Sequence, residues 1–78
     1  MTHSQAGQEA VKFIFNQIDS VIVTFPTEIN LVTIYKNTGA SVQCIGAAFD
    51  KYIKLPLAAK GYKAIKCGSP VRIQLSKI

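Results

Sequence analysis

Acidic residues, cysteine and histidine are scarce in this 78-residue sequence, which holds four, two and one of them. The four acids, Glu9, Asp19, Glu28 and Asp50, are scattered, and no two have the spacing of an acid–base pair. His3, the only histidine, lies in a terminal stretch expected to fray, a poor place for a base or a ligand. Cys44 and Cys67 are too few for a disulfide framework and lack metal-ligand spacing. On the strands expected below, both read as small buried hydrophobes. There is no Cys-x-x-Cys, no phosphate-cradling glycine loop and no Ser/His/Asp set. The expectation is therefore a protein that is not an enzyme and holds no cofactor and no metal. No run of 18 apolar residues exists, which excludes a membrane-spanning helix. The first ten residues, MTHSQAGQEA, are polar without a basic start, so no signal peptide is visible and a cytoplasmic chain is expected.

What is present is apolar and basic. Apolar residues make up 49% and charged residues 17%, a globular composition far from that of a disordered chain. The length allows one domain, 1–78, whose own core is small. With a mean hydropathy of +0.24, a partner subunit is the expected source of extra stability. The net charge of +5 is unevenly placed. Residues 1–30 set Lys12 against Glu9, Asp19 and Glu28, whereas residues 31–78 set eight basic residues against Asp50 alone. A basic half suits a phosphate backbone, and it equally suits a solvated lysine face that keeps a small protein soluble.

Hydrophobic spacing predicts a helix over 5–18, where Val11, Ile14, Phe15 and Ile18 form one apolar stripe. Ser4 or Thr2 would cap it, and Phe13 and Phe15 read as core residues. Residues 20–25 are β-branched and aromatic and end at Pro26, as a short strand or extended connector does. Residues 31–36 read as a strand, Asn37-Thr38-Gly39 as a turn with Gly39 at positive φ, and 41–48 as the returning, bent strand. Residues 49–55 fit helix or strand. Pro56 would remove a hydrogen bond from a helix at a cost of about 3 kcal/mol, which favours a strand with Lys51, Ile53 and Leu55 on one face. Residues 56–61 are then a connector, a single helical turn opened by Pro56 and closed by Gly61. Strands 62–67 and 71–76 follow around a Gly68-Ser69-Pro70 turn, with Val71, Ile73 and Leu75 inward. The fold class expected is α+β, mostly β: one helix, then a strongly bent five-stranded antiparallel sheet or small open barrel.

These residues resemble the Sm-like family of Sm, LSm and Hfq proteins. Residues 32–39 (VTIYKNTG) are similar to a first strand and its turn. Phe49-Asp50 leading into 51–55 resembles the end of the first Sm motif, and 65–71 (IKCGSPV) resembles the second. The likeness covers 31–76 loosely, together with the helix. Cys67 stands where the second motif usually carries Arg, Lys54 where many members carry a uracil-reading Asn, and Lys63-Ala64 where Hfq carries Lys-His. In this register residues 20–29 are extra. A rival register that begins the first strand at Ser20 also reads naturally but loses the spacing to Phe49-Asp50.

The resemblance implies a homo-oligomeric ring closed by pairing 62–67 of one subunit with 71–76 of the next. It also implies single-stranded RNA, or DNA, as the partner. Tyr52 would stack a base after Asp50, with Lys51 and Lys54 beside it and Lys63, Lys66 and Gly68 at the second motif. Base stacking on an aromatic ring is worth about 1–3 kcal/mol and tolerates any base. A half-buried strand tyrosine is the ordinary role of such a residue. The competing function is a small basic protein-interaction module, an inhibitor or adaptor that binds no nucleic acid.

Overall fold

The computed structural model describes residues 2–20, 24–68 and 71–78. Helix α1, His3–Ser20, contains the expected span and begins with a reciprocal cap. The Thr2 hydroxyl accepts from the Gln5 backbone N–H at 3.2 Å, and the Gln5 side chain accepts from the Thr2 N–H at 3.0 Å. Its buried face is Ala6, Gly7, Ala10, Val11 and Ile14, so small residues fill its first turns and let neighbouring backbone come close. Phe13, Phe15 and Ile18 pack against the core only in part.

Strand β1, Thr27–Asn30, runs directly into α2, Leu31–Thr38, because Asn30 caps that helix: its Oδ1 accepts from Val32 N–H at 2.9 Å. Gly39, at φ +80°, ends α2 and donates its N–H to the Tyr35 carbonyl at 2.8 Å. Ser41 then caps α3, Val42–Ala48, through a 3.1 Å bond from Cys44 N–H to its hydroxyl. A π-helical segment, Phe49–Lys54, and α4, Leu55–Ala59, continue the same rod. Gly61, at φ +90°, leads into the hairpin of β2, Tyr62–Cys67, and β3, Arg72–Lys77.

The sheet has the order β1-β3-β2, antiparallel throughout, with Ile29 and Lys66 both opposite Ile73 and Ala64 opposite Leu75. One core joins it to the helices: Ile14 of α1, Leu31 and Ile34 of α2, Ile45, Phe49, Ile53 and Leu57 of the rod, and Ile73 and Leu75 of β3.

This overturns the five-stranded bent sheet. Residues 31–36, 41–48 and 49–55, expected as strands, are helical, and a strand at 27–30 takes their place in the sheet. The β-branched content of Val32, Thr33 and Ile34 is a weak preference that context reverses. Asn30, Gly39 and Ser41 set helix ends, and burial at Leu31 and Ile34 repeats every three residues instead of every two. Pro56 does not block the helix. It falls in the first turn of α4, where the change of winding after Lys54 makes the missing donor tolerable. Of the segment 20–25, Ser20 ends α1, residues 21–23 lie outside those described, and Thr24 and Phe25 are not in a strand. Ser69 and Pro70 of the expected hairpin turn also lie outside them. Val71 is 39% exposed, not inward, while Ile73 and Leu75 are buried as their alternation implies.

The π-helical winding has a cause in the core spacing. Ile45, Phe49, Ile53 and Leu57 recur every fourth residue. Four residues turn an α-helix by about 400°, so a strict α-helix would rotate this series by about 40° per step. Wider winding, with i to i+5 bonding, absorbs that drift and keeps the series on the core. Phe49 stays 4% exposed and the other three 0%.

Candidate nucleic-acid interface

Two helices joined by the three residues Gly39, Ala40 and Ser41 form a helix-turn-helix unit. Gly39 supplies the positive φ and Ala40 is fully buried in the corner. Thr38 locks the turn by donating to the Ile34 carbonyl at 2.7 Å and accepting from Ala40 N–H at 3.1 Å. With Ile45 and Ala48 buried, α3 turns Gln43 and Ala47 to solvent, and exposed Asp50, Lys51 and Lys54 follow along the rod.

The hairpin stands beside α3. The Lys66 ammonium donates to the Gly46 carbonyl at 3.2 Å and lies 6.0 Å from the Phe49 ring centroid. Between hairpin and helix runs an open groove of about 330 Å³, with Val42, Gly46, Cys67 and Val71 as apolar lining and Gln43 and Lys66 as polar lining. Arg72 pins the hairpin to the sheet, ion-paired to Glu28 of β1 and donating to the Gly68 carbonyl at 3.1 Å. Exposed Lys36 lies in the last turn of α2.

Of the residues singled out in the sequence, Lys66 and Gly68 lie on this groove. Asp50, Lys51 and Lys54 lie on the rod beyond α3. Lys63 is exposed on β2, three residues from Lys66 and so on the opposite face of the strand. Tyr52 is not brought to the groove. Its Cβ meets α1 at Gly7, and the residue is 36% exposed. Segments 62–67 and 71–76 are expected from the sequence to pair between subunits; in this chain β2 and β3 pair with each other, and β3 has both edges occupied. Cys44 and Cys67 are half-buried free thiols, the first on a helix and not on a strand. Gln43 and Ala47 were hidden by the strand reading; the signal for them was Gly39 followed two residues later by Ser41, a helix stop and then a helix start.

Among the described residues no group of three His, Cys, Asp or Glu is placed to hold a metal, and no helix is long and apolar enough to cross a membrane. No family model, curated protein or solved structure matches the chain.

Proposed function

We propose that the chain binds duplex DNA, with α3 entering the major groove and the β2–β3 hairpin lying against the adjoining backbone. The observation that carries this is the Gly39–Ser41 turn, which holds α2 and α3 in one helix-turn-helix and leaves the outer face of α3 exposed beside a hairpin. In that docking the second helix reads base edges and the first crosses the phosphates. Charge supports the reading. Lys36 in the last turn of α2 and Lys51 and Lys54 on the rod beyond α3 are exposed, Lys66 of the hairpin reaches α3 at the Gly46 carbonyl, and Asp50 is the sole acid after residue 30. The site requires neither a ring nor base stacking on Tyr52.

Fluorescence anisotropy with labelled duplex and single-stranded DNA of one sequence tests it. The duplex is expected to bind more tightly, with log affinity falling by about 0.9 per phosphate contact for each tenfold rise in salt. Lys66→Ala is expected to flatten that slope by about one contact. Preference for the single strand would remove the groove-docking account. Failure of every oligonucleotide at low salt would favour a protein partner for the basic face.

A further inference from the structure

The outward face of α3 has a composition that discriminates among base pairs, an inference that rests on the duplex-binding reading above. Gln43 and Ala47 are exposed and one turn apart, so they stand on the same face. A glutamine amide carries one donor group and one acceptor, which fits the N7 acceptor and N6 amino group of adenine. It does not fit the two acceptors, N7 and O6, that guanine presents. Ala47 offers a bare methyl, suited to the C5 methyl of thymine. The commonest guanine reader is an arginine fork. This chain has one arginine, Arg72, and it lies on β3, engaged by Glu28 and the Gly68 carbonyl.

We infer that α3 reads A·T base pairs in the major groove, Gln43 taking the N6/N7 edge of adenine and Ala47 the methyl of thymine. The chain then prefers A·T-containing duplex DNA to G·C duplex. It also rejects duplex RNA, whose deep, narrow major groove excludes side chains.

Selection from a pool of random duplexes, followed by titration of the selected site, is the test. Enriched sequences are expected to share A·T pairs. In the selected site, 7-deazaadenine removes N7 and uracil removes the thymine methyl, and each is expected to weaken wild-type binding several-fold. Gln43→Ala is expected to lose roughly 5- to 150-fold on that site and to become indifferent to 7-deazaadenine. Ala47→Gly is expected to become indifferent to uracil. The modified duplexes probe the wild-type protein, so the test survives a variant that folds poorly. A pool enriched in G·C pairs or in nothing overturns the A·T inference while leaving duplex binding in place. So does 7-deazaadenine sensitivity that persists in Gln43→Ala. Failure to retain any duplex at low salt overturns the duplex reading itself, and with it this inference.

Discussion

Gly7 lies in the first half of α1, where alanine is favoured over glycine by about 0.8–1 kcal/mol. Helix propensity alone therefore makes Gly7→Ala stabilising. The packing makes it destabilising. A Cβ on Gly7 would overlap the Tyr52 Cβ outright, and would lie 3.2 Å from the Ala48 Cβ and 3.3 Å from Tyr52 Cγ. Carbon atoms pack best at about 3.5–4.0 Å, and a Cβ is fixed to its backbone, so no rotamer relieves the overlap. Either α1 shifts from the rod, opening gaps along Ala10, Val11 and Ile14, or the π-helical segment deforms. Overpacking of this kind costs about 1–3 kcal/mol, and a rigid contact belongs at the upper end. Against a propensity gain near 1 kcal/mol, the net loss is about 1–2 kcal/mol. For a domain of this size that lowers Tm by about 4–16 °C. Gly46 is the matched control: it is helical, and a Cβ there meets nothing within 4 Å, so Gly46→Ala is expected to raise Tm by about 4–8 °C. Thermal unfolding followed by circular dichroism reads both. In a Tyr52→Gly background, which removes the opposing Cβ, Gly7→Ala is expected to cost less. A rise in Tm for Gly7→Ala matching that of Gly46→Ala would refute the close approach of α1 to the rod.

The corner of the helix-turn-helix gives a second expectation. Gly39→Ala puts a side chain at φ +80°, where left-handed geometry costs about 1–2 kcal/mol. Urea unfolding should show that loss with an unchanged m-value, and no loss would mean the turn is not held in this form. Glu28→Gln breaks the ion pair with Arg72, whose side chains are 49% and 31% exposed, so stability should change by less than about 1 kcal/mol. The same variant removes one negative charge beside the hairpin and is expected to strengthen duplex binding at low salt; weaker binding would show that the pair positions the hairpin.

The two ends of the chain were legible because one period governs each. The stripe on α1 repeats at helical spacing, and Ile73 and Leu75 alternate with polar residues at strand spacing, so 5–18 and 62–76 sit within one to two residues of α1 and the hairpin. Glycine chemistry was legible too, since Gly39 and Gly61 both adopt positive φ. The middle was misread because residue type and residue spacing disagree there. Val32, Thr33, Ile34 and Tyr35 have strand-like composition, yet a helix forms between Asn30 and Gly39 because capping and tertiary burial outweigh propensities of a few tenths of a kcal/mol per residue. The misreading of 41–55 carried the candidate site with it, since on a strand Gln43 and Ala47 share a face with Ile45 and Phe49 and so read as inward.

The spacing on the rod contains its own correction. A strand through Ile45, Phe49, Ile53 and Leu57 would bury every second residue, and so would bring Ala47, Lys51 and Leu55 onto the same apolar face. The lysine is the misfit in that arrangement. A helix wound to a four-residue repeat skips those positions, and all three are exposed, Leu55 at 62%. Gln43, Ala47, Lys51 and Leu55 form a second four-residue series, offset by two from the buried one and hence half a turn away. The widened winding of Phe49–Lys54 that helps hold Phe49, Ile53 and Leu57 on the core therefore also keeps Ala47, Lys51 and Leu55 along the opposite side, while Gln43 and Ala47 are related by an ordinary α-helical turn. A rod of uniform α-helix would twist that outer series away by about 40° per step, as it would the inner one. The burial of Phe49 and Ile53 and the exposure of Lys51 on the opposite side of the π-helical segment thus follow from one physical cause.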